Sequence, residues 1–141
     1  MKITRESDYA IRIILMLSSL KEGKIADAGS ISKTQCIPKQ FTLKILRELM
    51  TAGYVKSFKG IHGGYCLNVL PCELSLKDII CAIEGEIGIN ECLVCENKCN
   101  RVSDTSSCPV HRSLESINNK LIAELSSVTF DDLAKGCKNN Q

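Results

Sequence analysis

Four cysteines and one of the chain's two histidines fall within residues 91–111, "ECLVCENKCNRVSDTSSCPVH". Thiolate sulfur is a soft ligand and imidazole a borderline one, so this stretch has the side chains that bind zinc or iron. By residue type alone it fits four chemistries: a disulfide knot, a zinc site, an iron–sulfur site or a thiol redox switch. The spacing C-x2-C-x3-C-x8-C runs from Cys92 through Cys95 and Cys99 to Cys108, with His111 three residues further on. Choosing among the four depends on the compartment and on the elements that hold the stretch in place.

The chain has 141 residues, 44% of them hydrophobic and 24% charged, enough for one modest core with an appended element. A net charge of +2 conceals an uneven distribution. Residues 1–66 contain eleven Lys and Arg against five Asp and Glu, and residues 67–141 contain seven against eleven. The amino-terminal half is therefore the candidate for a polyanionic partner. The apolar stretch at residues 11–20 follows basic residues, but Glu6 and Asp8 precede it, Arg12 interrupts it and no small-residue cleavage site follows, which argues against a secretory signal. No apolar run is long enough to cross a bilayer. The expected location is the cytoplasm, where disulfides are disfavoured. With an odd total of nine cysteines, metal or redox chemistry is the better account.

Thr4 predicts the cap of a first helix, whose apolar stripe Ala10, Ile13, Ile14, Leu17 and Leu20 runs on to Gly23. A short second helix is expected over residues 25–33. After a turn at residues 34–37, Pro38 begins a third, closed by Ala52-Gly53. Two helices joined so closely, the second amphipathic and basic, make a helix-turn-helix pattern. Two β-prone runs follow at residues 54–58 and 65–69, separated by the glycine-rich tip "KGIHGG". This order predicts a winged helix. Ser75 caps a fourth helix that stops at Gly85. Residues 111–127 form a long helix striped by Leu114, Ile117, Leu121 and Leu125, residues 129–134 add a short turn, and residues 136–141 form a frayed tail.

On the third helix Phe41, Thr42, Ile45, Leu46 and Leu49 share the inward arc, and Lys39, Gln40, Leu43, Lys44 and Arg47 share the outward one. The outward residues suit a major groove. Lysine and arginine reach phosphates or guanine, Gln40 pairs with adenine, and Leu43 touches a thymine methyl. Without a wing, the same arc is equally well explained as a solvated basic face. Lys59 and His62 on the narrow tip have the charge and shape to enter a minor groove, which tips the balance toward double-stranded DNA.

Together "MKITRESDYAIRIILML", "IPKQFTLKILRELMTAGYVKSFKGIHGGYCL", "SLKDIICAIEG" and "CPVHRSLESINNKLIAELSSVTFDDL" resemble the Rrf-type winged-helix transcription regulators, across nearly the whole chain. The resemblance implies a homodimer whose long carboxy-terminal helices cross, each subunit placing a winged helix on one operator half-site. An unpartnered apolar stripe on residues 111–127 agrees with that. One departure bears on sequence preference: where relatives often carry Leu-Glu in the recognition helix, this chain has Thr42-Leu43. An apolar side chain stands where an acidic one would face the groove, so a relative's operator does not transfer.

Cluster-binding members space three cysteines roughly as C-x5-C-x5-C before the dimer helix. The resemblance therefore implies Cys92, Cys99 and Cys108 as ligands, here with longer gaps of six and eight residues. For the fourth ligand it implies either His111 or Asp8 of the opposite subunit. Cys95 is the rival ligand, since its two-residue gap from Cys92 can bring both sulfurs to one metal. The spacing lacks the paired knuckles of common zinc sites, which favours an iron–sulfur cluster of the 4Fe–4S or 2Fe–2S type. Ordinary accounts exist for these residues: the helix dipole favours Asp8 in the first turn, and His111 could be a surface residue opening a helix. Cys36, Cys66, Cys72 and Cys81 read as small buried hydrophobes, and Cys137 as a free thiol.

The expected organisation is a DNA-binding domain over residues 1–84, a cluster loop over 85–110, a dimerisation helix with a short terminal helix over 111–135, and a tail over 136–141. The function this implies is transcriptional regulation, with repression as the expected mode and redox state, nitric oxide or iron–sulfur status as the signal. A cluster-free thiol or zinc regulator of the same fold is the alternative. An electron carrier would not need a basic winged helix, and no nucleophile–base pair or phosphate loop supports an enzyme.

Overall fold

Residues 2–95 and 99–139 are described in the computed structural model. Chain order is α1 Arg5–Ser18, α2 Ala28–Gln35, α3 Lys39–Thr51, β1 Val55–Phe58, β2 Gly64–Leu67, α4 Leu76–Glu84, α5 Pro109–Ser127 and α6 Phe130–Asn139. The fold is mainly helical with a small antiparallel hairpin, as the periodicities predict.

Thr4 caps α1 by accepting from Ser7 N–H at 3.2 Å. The helix ends at Ser18, short of the expected Gly23. There the hydroxyls of Ser18 and Ser19 bond back to the carbonyls of Ile14 and Leu15, at 2.7 and 2.9 Å, offering the backbone an alternative to further helix. Helix α2 starts later than predicted, at Ala28 instead of residue 25, because Ala26 is occupied elsewhere. Its N–H and C=O pair with Tyr65 of β2, at 3.0 and 2.8 Å, and so add a third edge to the wing. Asp27 then caps α2 by accepting from Ser30 N–H. Cys36 ends it in the left-handed region at φ 53°, and Pro38 stands at the N-cap of α3.

The core collects the inward faces of α1, α3 and α4, with Ile31 of α2 and Val55 of β1 closing its wing side. Ala10, Ile13, Ile14, Ile31, Ile45, Leu46, Leu49 and Ile79 are fully buried. Ser75 closes a capping box with Asp78 at the start of α4. At the other end of α4, Oε1 of Glu84 accepts from Thr4 N–H at 3.0 Å, from Thr4 Oγ1 at 2.9 Å and from Ser7 Oγ. Burial disfavours the Glu84 carboxylate, but these donors outweigh it and lower its pKa.

The long helix begins at Pro109, one turn position suited to proline and two residues earlier than expected. After it the chain returns to the first domain. Leu76 N–H donates to Val128 C=O at 3.0 Å and Phe130 N–H to Leu74 C=O at 2.9 Å, and the Phe130 ring is fully buried in the core. Helix α6 packs against α1 and the turn before α4. It continues as helix through Asn139, past the start of the expected frayed tail; residues 140–141 lie outside the described residues. None of the described helices is long and apolar enough to cross a membrane.

Two predictions follow from these contacts. Phe130→Ala removes a buried ring and should cost about 3–5 kcal/mol of stability in urea unfolding; a loss near zero would contradict its place in the core. Because the folded-state pKa of Glu84 is lowered, its stabilisation is full above the ordinary glutamate range, near pH ~4.3, and fades as pH falls through the lowered folded value. The stability gap between the parent and Glu84→Gln should therefore narrow on acidification, as read from urea midpoints; a gap that widened would reverse the assigned sign.

Candidate functional site

Two 3-10 turns and the start of α5 position the cysteines. Glu91–Leu93 carries Cys92, and Thr105–Ser107 leads into Cys108, the N-cap of α5. Asp104 organises the second turn by accepting from Ser106 N–H at 3.0 Å and Ser106 Oγ at 2.6 Å. Val94 packs so closely over Gly88 that a Cβ there would lie 2.1 Å from its methyl, so a larger residue at 88 would have to displace that side chain. Asn118, buried in the middle of α5, holds the loop's root. Its Nδ2 donates to Ile87 C=O at 3.3 Å and its Oδ1 accepts from Ile89 N–H at 3.1 Å. The periodicity of α5 marked Leu114 and Leu121 but gave no sign of this asparagine.

Cys92, Cys99, Cys108 and His111 line one open pocket of about 320 Å³, with Asn90, Arg101 and Thr105 among the other walls. All four are half-buried, and Nδ1 of His111 lies 3.4 Å from Cys92 Sγ. The N–H groups of Val102 and Arg101 donate to Cys99, and with the Arg101 charge they lower its thiol pKa. The positive end of the α5 dipole opens on the same pocket, a setting that favours an anionic group. Among the described residues, no three His, Cys, Asp or Glu groups converge tightly enough to hold a single metal ion. The donors surround a space instead.

Cys95 is exposed and lies outside this lining. Asp8 is also elsewhere: its carboxylate accepts from Arg12 on the next turn of α1, with Nε at 3.1 Å. Arg12 is fixed in turn by donating to Gln35 C=O at 3.1 Å and by lying over the Tyr9 ring. The expectation of four buried structural cysteines needs correction. Cys36 and Cys72 are exposed, while Cys66 and Cys81 are only half-buried, because they sit at a helix end, at a turn and on faces the core does not reach. Burial still raises the Cys81 thiol pKa.

On α3, Thr42, Ile45, Leu46 and Leu49 point inward, and Lys39, Gln40, Leu43, Lys44 and Arg47 are exposed. Phe41, assigned to the inward arc, is at its edge, about one-third exposed and 6.3 Å from the Tyr9 ring. Lys44 is held by Glu6 of α1 at 2.6 Å, with Glu48 at 3.9 Å, and the Glu6 hydrogen bond raises its pKa. Exposed pairs of this kind contribute roughly 0–1 kcal/mol, so phosphate can compete for the ammonium. Lys59 and His62 are exposed on the wing.

The chain matches the family model described as Rrf2, iron-dependent transcriptional regulator, over residues 3–136. It is 26% identical over 135 residues to the HTH-type transcriptional regulator NsrR of Bacillus subtilis strain 168, covering 96% of this chain and 91% of that protein. Among solved structures it is similar to CymR, the global cysteine regulator of B. subtilis, with 29% identity, a TM-score of 0.78, and coverage of 96% of this chain and 97% of that one. T. potens IscR shares the fold, with 21% identity, a TM-score of 0.77, and coverage of 100% of this chain and 91% of its own.

Asn118→Ala should leave a buried carbonyl and amide unpaired, costing about 1–3 kcal/mol in urea unfolding, and should speed alkylation of Cys92 in the native state. An unchanged alkylation rate would show that the clamp does not govern the loop.

Proposed function

This chain belongs to the Rrf2 family of transcriptional regulators, proteins that bind DNA and are not enzymes, and from that premise we propose a homodimeric repressor in which an iron–sulfur cluster sets operator affinity. The observation that carries the cluster is the shared pocket of Cys92, Cys99, Cys108 and His111. A structural zinc site closes four ligands directly on one ion. A space of about 320 Å³ ringed by donors suits a polynuclear cluster instead. Cys92, Cys99 and Cys108 would hold it as thiolates, and N–H groups aimed at Cys99 favour that form. His111 is the preferred fourth ligand, because it already meets Cys92 whereas Asp8 is engaged by Arg12. When bound, the cluster supplies a redox- and nitric-oxide-sensitive centre.

Residues 1–84 form the proposed DNA-binding unit, 85–110 the cluster loop, 111–135 the dimer helix with its terminal turn, and 136–141 the tail; the cytoplasm is the proposed location. Lys39, Gln40, Leu43, Lys44 and Arg47 meet the major groove, and Lys59 and His62 the minor groove. Val110 and Ile117, both exposed on α5, support pairing with a second copy. Coupling has a continuous physical route. The loop is rooted to α5 by Asn118, α4 is tied to α1 through Glu84, and Glu6 of α1 holds Lys44 on the recognition helix. Movement of the loop that shifted α4 would alter both half-site spacing and the freedom of Lys44.

A second reading is a thiol switch without a cluster, favoured by the lowered thiol pKa of half-buried Cys99. Anaerobic purification with iron and sulfide quantitation separates the two. Cys92→Ala, Cys99→Ala and Cys108→Ala should each lose the cluster, Cys95→Ala should keep it, and His111→Ala should accelerate its decay in air while Asp8→Ala behaves as the parent. Colourless parent protein whose DNA binding still responds to oxidant would establish the thiol switch. Loss of the cluster in Cys95→Ala with retention in Cys99→Ala would overturn the ligand set.

A further inference from the structure

The wing carries a residue that neither the basic face nor the cluster accounts for. Ile61 is 99% exposed, more than any other large hydrophobic side chain among the described residues. It stands at the apex of the hairpin, where Gly63 N–H donates to Gly60 C=O at 3.0 Å, making Ile61 and His62 the two central residues of a closed turn. Those positions ordinarily take glycine, asparagine, aspartate, serine or proline, and a β-branched apolar residue there agrees with no local requirement. A departure from local rules with no compensating contact inside the protein is a mark of an external one.

The turn beneath Ile61 is built on glycines that the main chain around them requires. Gly60 sits at φ +106°, a conformation side chains rarely adopt. A Cβ at Gly63 would lie 2.2 Å from Phe58 C=O, and one at Gly64 would lie 2.8 Å from the Ala26 backbone, so neither glycine can be replaced without shifting main chain. The double hydrogen bond between Ala26 and Tyr65 anchors the strand behind them. The closing hydrogen bond and the Ala26 pairing set where the apex stands on the surface. Phe58, about half exposed at the end of β1, extends the apolar surface, and Lys56 and Lys59 flank it.

We propose that Ile61 enters the DNA minor groove between the phosphate contacts of the wing and selects A·T pairs there, a specificity-determining role that rests on the regulator reading above. The occupant is fixed by charge. An apolar tip flanked by lysines matches a groove whose walls are sugar carbons and whose rims are phosphates. Selectivity comes from the groove floor. Guanine projects an amino donor there that an isoleucine would cover without pairing, whereas A·T presents no such donor.

The test uses full-length protein purified anaerobically and an operator obtained by selection from random duplex DNA. Because the Ile61 side chain makes no packing contact, Ile61→Ser should melt with the parent. It should bind the operator about tenfold more weakly with an unchanged salt slope, since apolar burial is lost and no phosphate contact is. It should also lose A·T bias at the wing positions while the positions read by α3 keep theirs. Lys59→Ala should instead lower the salt slope by about one. Equal affinity and bias in Ile61→Ser and the parent would overturn the inference alone, as would intact DNA binding with lost promoter control, which would assign Ile61 to a protein partner. A parent that enriches no sequence would overturn the regulator reading as well.

Discussion

The return of the chain after α5 is the constraint on which the rest of this architecture depends. A helix of 19 residues leaving a small domain would act as a free arm, yet Phe130 brings it back. The ring is buried in the core cluster, and the two backbone hydrogen bonds between residues 74–76 and 128–130 fix its approach. With the far end of α5 docked and Asn118 clamping its middle, the loop from Gly85 to Cys108 is held at its root and at its exit. The pocket exists because of those attachments. A cysteine-rich segment of this length could not keep four donors around one space by its own local structure.

The two halves of the molecule handle rigidity differently. The wing is closed by backbone pairing and by glycines that main chain excludes from substitution. The cysteine loop is organised by short 3-10 turns and side-chain caps, an arrangement with fewer buried apolar contacts and a lower cost of rearrangement.

Charge follows the same division. The excess of lysine and arginine lies in residues 1–66, with Lys39, Lys44 and Arg47 on α3 and Lys56 and Lys59 on the wing. Acidic residues in this half are mostly employed inside the subunit: Glu6 with Lys44, Asp8 with Arg12 and Asp27 at the cap of α2. The Asp8 carboxylate, which the family resemblance offers as a ligand, is paired with Arg12 at an exposed position, whereas the imidazole of His111 already lies beside a thiol.

Most of the element order was legible in the sequence, since it follows from local physics: Thr4 and Ser75 as caps, Pro38 at a helix start, the 3.6-residue stripe of α3 and the glycine-rich break between β1 and β2. The division of α3 into an inward arc and an exposed arc was legible for the same reason, apart from Phe41 at its margin. Tertiary structure decided what depends on distant partners. Ala26 pairs with Tyr65 and so delays α2, the ring of Phe130 turns a short terminal turn into a docked helix through Asn139, and Asn118 becomes a clamp only because residues 87–89 pass beside it. The family resemblance proposed the ligands, but placing Cys99 and His111 in one pocket and Cys95 outside it required the folded loop. Spacing along a chain measures contour, whereas ligation and packing depend on distance in space.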